Sequence, residues 1–474
     1  MGMRRVSLLR EKTKIIILCC IYLFILVVQV MFFRPYLWFD TAYSVLYAKQ
    51  PVSEIVKVND VHPPLYYLVL HSWIWLFGDN VQVMSLLSVV FGFFSFILLY
   101  KIWMHLFKDK SFVWFAAFFM LATTPLYYFG EQRMYVMALF FCLVSFYSLL
   151  NFSQKKYKFL FVVSTALLPY IHYFTAFFVM FELSYCLMEK EWRTIKYWII
   201  SFILMTPIFL YFFNQLARIQ TLGFQKSSFV SVLSTYYYAW FYSWGGSVAL
   251  LNTILGIIFI MMMFFLIVQY IDVIVDKREK RLSLLMLAWF ILPTVILMII
   301  NSFVMNLYHH RFFFFVAWFF IFLSARAIYI LRDSVWTKMI VAFLVAFMVL
   351  NFVQYELETE RDIGEVIAFF NEQNCSGAVS IVHETQASAL IHIYYNEQHG
   401  CYKNYLYTDL SQKQLNGIGV NAIPDGRILR TQGDLESLGS FYMLSVRHRP
   451  EDPNLNFLSL LNSSGAEITL VTHV

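Results

Sequence analysis

KIIILCCIYLFILVVQVMFF, residues 14–33, is an apolar run of twenty residues whose only charge is Lys14 at its start. A helix of about 20 apolar residues is long enough to cross the hydrocarbon core of a bilayer. The run is longer than the apolar part of an ordinary signal peptide, and no small-residue cleavage site follows it. We therefore predict a retained first membrane span, with the basic residues before it in the cytoplasm.

The composition of the whole chain points the same way. Of the 474 residues, 60% are hydrophobic and only 14% are charged, and the mean hydropathy is +0.65. A soluble protein of this length covers its surface with far more charge. Several later stretches also approach the length of a span. The predicted fold class is an α-helical polytopic membrane protein, located in the cell membrane as a multi-pass protein.

The charge is divided unevenly along the chain. Residues 1–352 carry 28 Lys+Arg against 14 Asp+Glu, whereas residues 353–474 carry 7 against 15. The basic excess belongs to the membrane part, so it does not imply a nucleic-acid partner. We predict a transmembrane domain over 1–352 and a small extracytoplasmic α/β domain over 353–474, because the tail alternates helix-like segments with strand-like ones such as GAVSIVHE, KNYLYT and SFYMLSV.

About eleven spans can be threaded through the membrane part. They lie at 14–33, 81–104, 111–128, 132–152, 158–172, 173–188, 194–213, 248–275, 284–303, 311–331 and 336–352. The segment 64–78, PLYYLVLHSWIWLFG, is too short to cross unaided, and its two Trp residues are typical of the membrane interface.

The distribution of Lys and Arg decides whether segment 64–78 crosses the membrane or lies at its outer interface. With it at the outer interface, the cytoplasmic ends of the spans hold 21 Lys+Arg and the outer loops hold 7. If it crossed, every later loop would change sides, against the preference of Lys and Arg for cytoplasmic loops. We therefore predict an interfacial helix, a cytoplasmic N-terminus and an extracytoplasmic C-terminal domain.

This threading places the remaining polar clusters on the outer side of the membrane. They are Asp40, Asp60 with His62, Glu131 with Arg133 and Tyr135, His172 with Tyr173, and His309 with His310 and Arg311. Five polar groups on one face indicate a single site at the outer membrane surface. Inside the predicted spans, Glu182 and Asp272 are the exceptional charges, and helix–helix hydrogen bonding is the simplest role for them.

Four of these motifs carry a family resemblance. WFDTAYS (38–44), DVHPPLYY (60–67), GEQRMY (130–135) and HYF (172–174) occur in that order. The chain resembles the GT-C membrane glycosyltransferases of family 39 type, which include protein O-mannosyltransferase-like and aminoarabinose-transferase-like enzymes. The resemblance covers residues 14–190 and is weaker over 194–352.

The resemblance implies an activity and its partners. Such enzymes take a sugar from a polyprenyl-phosphate carrier at the non-cytoplasmic face, with inversion at the anomeric carbon. The acceptor is a lipid, a glycan or a protein, and membrane lipids surround the enzyme. Asp40 matches the acid of the first outer loop in the family. No cofactor is assigned, and a divalent metal stays open, because this chain has Asp40-Thr41 where many relatives have Asp-Glu.

The chemistry explains why these residue types are needed. A carboxylate, here Asp40, can take the proton of the acceptor hydroxyl in an oxocarbenium-like transition state. Cations near the leaving phosphate, here Arg133 and Arg311 with His62 beside them, would stabilise the charge that develops there. The other predicted substrate-binding residues are Asp60, Glu131, Tyr135, His172, Tyr173 and His310.

Simpler roles and other functions stay open at this point. Asp40 and Asp60 could cap helices, Glu131 could pair with Arg133, and Arg311 could reach lipid headgroups. A polymerase or ligase of lipid-linked oligosaccharides would use the same outer site. A transporter or flippase would instead need polar groups along a path through the membrane, and a noncatalytic scaffold would need none.

Overall fold

The computed structural model describes the helices and part of the C-terminal region. The described residues are 2–32, 37, 39–57, 62–108, 111–219, 249–303, 314–358, 379–383, 393–394, 402–407, 428–429, 437–438 and 441–444. The chain forms two compact units. The first combines Met1–Pro35 with Val61–Thr359, and the second combines Tyr36–Asp60 with Glu360–Val474.

All regular secondary structure in the described part of the first unit is helical. Its helices are α1 (Gly2–Phe32), α4 (Leu65–Phe77), α5 (Val81–Leu106), α6 (Phe112–Leu121), α7 (Thr123–Gly130), α8 (Tyr135–Leu150), α9 (Lys155–Ile171), α10 (Ala176–Glu189), α11 (Ile195–Ile219), α12 (Ala249–Val273), α13 (Lys277–Phe303), α14 (Phe314–Ile330) and α15 (Val335–Glu358). Short 3-10 turns at Tyr173–Thr175 and Trp192–Thr194 precede α10 and α11.

Five of the described helices are long and apolar enough to cross a membrane, and six if the bent pair α6 and α7 counts as one span. The apolar helices α8 and α14 and the apolar part of α15, Val335–Asn351, are shorter. The predicted class of multi-pass helical membrane protein is confirmed, while the predicted number of spans and the side of each loop stay predictions. The short helix predicted at 64–78 is present as the 13-residue α4.

Helix α14 lies at the centre of the first unit. Every residue from Phe314 to Ile328 is buried, so the helix is covered on all sides. Helices α6, α8, α12 and α13 pack around it. A helix that is apolar all round is stable only in such a position or in lipid.

The predicted single span 111–128 is wrong in one respect, because the structure breaks it. Helix α6 ends at Leu121, α7 begins at Thr123, and the two are bent by 66°. Ala122 between them has an extended backbone, with ψ of 121°. Pro125, in the first turn of α7, has no backbone N–H to donate to the preceding turn, which explains the break.

A buried ion pair holds the ends of several helices together. The Arg326 guanidinium on α14 donates from Nε to Glu279 Oε1 (2.7 Å) and from Nη2 to Glu279 Oε2 (3.3 Å) on α13. It also donates from Nη1 to Ser111 Oγ at 3.2 Å, just before α6. Tyr270 of α12 donates to Glu279 Oε1 at 2.8 Å. This pair therefore links four helices at the end where the sequence predicts the cytoplasm.

The second unit contains a small parallel sheet. Its strands are β1 (Val379–His383), β2 (Tyr402–Tyr407), β3 (Ile428–Leu429) and β4 (Phe441–Leu444), in the order β3-β2-β1-β4. Val379 pairs with Tyr402, and Ser380 pairs with Phe441. Parallel neighbours require crossover connections, as the predicted α/β class has.

The same unit includes two helices of the first predicted outer loop, α2 (Phe39–Ala48) and α3 (Val52–Lys57). In α2 the side chains of Ala42, Val45 and Ala48 are fully buried. The ammonium of Lys49, which follows α2, lies 5.4 Å from the ring centre of Tyr394, a cation–π contact within the unit. The independent folding of residues 353–474 outside the cytoplasm stays a prediction.

Candidate functional site

The connection between α7 and α8 brings polar side chains into the interior of the first unit. Glu131, Gln132 and Arg133 are only 2%, 3% and 5% exposed. The Nη2 atom of Arg133 lies 3.2 Å from Nε2 of His62. Because a guanidinium can only donate, His62 Nε2 is the acceptor and carries no proton in this contact.

His172 lies between α9 and the 3-10 turn and is 1% exposed. Its Nδ1 accepts from the backbone N–H of Phe174 at 3.2 Å, and its carbonyl oxygen accepts from Thr175 Oγ1 at 2.7 Å. Burial, together with the nearby charge of Arg133, lowers the pKa of His172 to about 3. The ring is therefore neutral at physiological pH, and its proton sits on Nε2, which makes that atom a donor.

Aromatic contacts join these residues into one cluster, which we call the histidine–arginine cluster: His62, Arg133, Tyr135 and His172. The ring centre of His172 lies 5.6 Å from that of His62 and 5.6 Å from that of Tyr135. Phe315, at the start of α14, covers the same ring at 6.0 Å. The cluster therefore combines one fixed positive charge with two neutral imidazoles in a largely apolar enclosure.

Two other predicted residues of the first unit have different surroundings. The ring of Tyr173 packs against Phe212 of α11, with ring centres 4.8 Å apart. Glu131 directly follows α7. Burial raises the pKa of the Tyr66 hydroxyl, and the nearby charges of Arg133 and Glu131 lower and raise it, respectively. Glu131 thus adjoins the cluster, whereas Tyr173 faces α11.

Asp40 lies in the second unit, in the first turn of α2, and is half-buried. Helix α2 begins at Phe39, so Asp40 does not occupy the N-cap position itself. A carboxylate in a first turn is stabilised by the helix dipole and stays ionised more readily. That Asp40 meets the histidine–arginine cluster in one site remains a prediction, as does its catalytic role.

Four predicted residues lie outside the described residues. These are Asp60, His309, His310 and Arg311. The predicted substrate-binding roles of Asp60, His310 and Arg311 stay predictions. Among the described residues, no group of three or more His, Cys, Asp or Glu side chains could hold a metal ion.

The sequence motifs did not indicate three buried side chains near the cluster: Ser85, Ser88 and Gln132. They connect the loop between α7 and α8 to α5. The available signal was the pair of serines three residues apart in an otherwise apolar helix, which places both hydroxyls on one face.

Glu182 on α10 is confirmed as a hydrogen-bonding residue inside the helix bundle. Its Oε2 accepts from Ser145 Oγ on α8 at 3.0 Å, and Ser145 Oγ lies 2.7 Å from Thr165 Oγ1 on α9. These contacts join three helices, so a structural role accounts for this buried acid.

Comparisons with known proteins identify the fold. No protein-family model matches the chain, and no curated protein matches it in sequence. The crystal structure of ArnT from Cupriavidus metallidurans in the apo state is similar over 90% of this chain and 91% of that one, with a TM-score of 0.57 and 11% identity. ArnT from the same organism bound to undecaprenyl phosphate is similar over 97% and 96%, with a TM-score of 0.60 and 10% identity.

The likeness extends over nearly the full length of both chains, so this chain has the fold of ArnT. At 10–11% identity it establishes the fold alone. The fold implied by the family resemblance is therefore confirmed, whereas membership of the GT-C superfamily and of family 39 stays a prediction.

Proposed function

We propose that this protein is a membrane glycosyltransferase that moves a sugar from a polyprenyl-phosphate carrier to an acceptor at the non-cytoplasmic face, with inversion at the anomeric carbon. The observation that carries the proposal is the histidine–arginine cluster, which brings a buried guanidinium together with the ring of His172 in a chain with the fold of ArnT. One of the similar ArnT structures is bound to undecaprenyl phosphate.

The cluster has the donors that a phosphate needs. Arg133 is always charged and presents a fork of N–H groups that matches two phosphate oxygens. At present one of these N–H groups points to His62 at 3.2 Å, a neutral and therefore weak partner that a phosphate oxygen would replace. The Nε2–H of His172 supplies a further donor whose proton is fixed by the bond from Phe174 to Nδ1.

Burial makes such a site effective. Arg133 is 5% exposed and His172 is 1% exposed, so a bound phosphate would lose most of its water. In an enclosure of low dielectric constant, the attraction between a guanidinium and a phosphate is much stronger than in water. The same attraction would stabilise the phosphate as it leaves the sugar, which is the charge that develops in the transition state.

In this proposal Asp40 is the general base. Its carboxylate, in the first turn of α2, would take the proton from the acceptor hydroxyl as that oxygen attacks the anomeric carbon and the bond to the phosphate breaks. One carboxylate is enough, because a phosphate leaves without needing a proton. Direct attack from the opposite face inverts the anomeric carbon.

Two measurements on purified protein in lipid nanodiscs test the proposal. The first is the dissociation constant for undecaprenyl phosphate, with a polyprenyl alcohol as the control that lacks the phosphate. The second is release of free polyprenyl phosphate from polyprenyl-phosphate sugars, with membrane lipid extract as acceptor. We expect binding of the phosphate and not of the alcohol, and turnover with at least one sugar. Equal affinity for phosphate and alcohol would contradict the proposal.

A further inference from the structure

The loop between α7 and α8 is attached to α5 by hydrogen bonds that connect residues far apart in sequence. Ser88 Oγ donates to the carbonyl oxygen of Glu131, and Gln132 Nε2 donates to Ser85 Oγ. Gln132 Nε2 also lies 3.4 Å from the carbonyl oxygen of Val81. The bonded residues are 43 to 51 positions apart, and all of these side chains are buried.

A close approach of α7 to α5 accompanies these bonds. A Cβ atom added to Gly92 on α5 would lie 2.6 Å from Cδ2 of Phe129, near the end of α7. Contacts this short do not occur, so a glycine is required for Phe129 to seat there. Ser85, Ser88 and Gly92 fall on one face of α5 and together form the surface that receives α7 and the loop.

We propose that Ser85, Ser88 and Gln132 are positioning residues, which fix the loop 131–133 on α5 and thereby hold Arg133 where it meets the carrier phosphate. This inference rests on the proposed function of the histidine–arginine cluster. It assigns three residues that themselves need not touch the substrate.

The geometry of the loop explains why these hydrogen bonds to α5 are needed. Arg133 has a long side chain and starts from an irregular segment, since Glu131 to Arg133 lie outside both helices. Without attachment, the segment would lose order, and binding would carry the entropic cost of fixing it. The hydrogen bonds of Ser88 to the Glu131 carbonyl and of the Gln132 side-chain amide to Ser85, which we call the tether, hold the two residues directly before Arg133 in place in advance.

Ser95 provides a matched control on the same helix. It is fully buried like Ser85, and among the described residues its hydroxyl donates to the carbonyl oxygen of Phe91 in its own helix, at 2.7 Å. Ser85 makes the equivalent bond to Val81 at 3.0 Å but additionally accepts from Gln132. Ser95→Ala therefore removes a buried hydroxyl without touching the tether.

The test measures the dissociation constant for undecaprenyl phosphate in nanodiscs, with the unfolding midpoint of each variant recorded beside it. Gln132→Met keeps the volume of the side chain and removes its donors, and we expect it to weaken binding by roughly tenfold, a change equal to about 1.4 kcal/mol. Ser85→Ala should weaken binding by a few-fold, Ser85→Thr should restore it, and Ser95→Ala should leave it unchanged. Gln132→Met and Ser85→Ala remove the same hydrogen bond. The double variant should therefore bind undecaprenyl phosphate as tightly as Gln132→Met alone does.

A second double variant tests whether the tether acts through Arg133. In an Arg133→Gln background, which removes the charge that meets the phosphate, Gln132→Met should have little further effect. An equal loss of binding in both backgrounds would overturn the inference, and so would wild-type affinity in a folded Gln132→Met protein. Failure of the wild-type protein to bind undecaprenyl phosphate would instead refute the proposed function, and the positioning role would fall with it.

Discussion

Replacing Arg133 should cost most of the affinity for the carrier phosphate. Arg133→Gln removes the charge and leaves a shorter polar side chain, whereas Arg133→Lys keeps the charge and loses the fork of donors. In the structure Arg133 is 5% exposed, and one N–H group of its guanidinium is directed at His62. A phosphate placed beside it can accept two parallel N–H bonds.

The size of the effect follows from those bonds. A hydrogen bond to a charged group contributes about 1.5–3 kcal/mol. Two such bonds amount to at least about 3 kcal/mol, which corresponds to a loss of affinity of roughly 100-fold. Arg133→Lys retains a point charge that makes a single bond, so we expect a loss of about tenfold.

The assay is a titration of purified protein in nanodiscs with undecaprenyl phosphate. Arg278→Gln is the control, because Arg278 pairs with Glu189 at 3.2 Å, its side chain is 57% exposed, and it starts α13 far along the chain from the cluster. The control should bind as the wild type does. If folded Arg133→Gln protein binds undecaprenyl phosphate with wild-type affinity, the phosphate does not meet Arg133, and the proposed site is wrong.

Three further predictions follow from the structure. In the folded protein the pKa of His172 is about 3, whereas in the unfolded chain it is about 6.5. Below about pH 6.5 the unfolded chain therefore binds a proton that the folded protein does not bind. The free energy of unfolding should fall by up to about 1.4 kcal/mol for each pH unit below that value. His172→Asn should reduce this slope in thermal unfolding between pH 6 and pH 4, and an identical slope would contradict the burial argument. Glu279→Ala should lower the free energy of unfolding by about 3–5 kcal/mol, because it leaves the buried Arg326 without its carboxylate; a midpoint equal to that of the wild type in a melting experiment would refute this. Reporter fusions at residues 60 and 400 should both report the outer side, and a cytoplasmic signal from either would refute the predicted topology.

The positions of the helices could be predicted well from the sequence. The span predicted at 132–152 corresponds to α8, Tyr135–Leu150, and the short segment predicted at 64–78 corresponds to α4, Leu65–Phe77. Long apolar runs bounded by charges or prolines carry this information locally, because the bilayer imposes one requirement on every span. The predicted strands in 377–384, 403–408 and 440–446 correspond to β1, β2 and β4, because short runs rich in β-branched and aromatic residues indicate strands locally.

The composition of the site could be predicted only in part. The motifs indicated His62, Arg133, Tyr135 and His172, and the structure brings these four together. It turns Tyr173 toward Phe212 instead, although Tyr173 is the next residue after His172. Neighbours in an irregular segment point in different directions, and a motif does not say which of them faces the site.

Long-range contacts were beyond the sequence altogether. Nothing local links Ser88 to Glu131 or Ser85 to Gln132, because these bonds depend on how closely α7 approaches α5. Arg326 was counted as one cytoplasmic charge among many, yet it is 6% exposed and paired with Glu279. The break at Ala122 had a visible cause in Pro125, but hydropathy alone favoured one continuous span.

The most direct test of the central claim compares wild-type protein with Asp40→Asn in a transfer assay. Both proteins are placed in nanodiscs with a polyprenyl-phosphate sugar and membrane lipid extract, and the release of free polyprenyl phosphate is followed over time. The variant keeps the size and hydrogen bonding of the side chain but cannot take a proton. Since general-base catalysis contributes about 10²–10⁴-fold in rate, we expect wild-type turnover, a loss of at least about 100-fold in Asp40→Asn, and equal affinity of both for undecaprenyl phosphate. Transfer by Asp40→Asn at the wild-type rate would contradict the account.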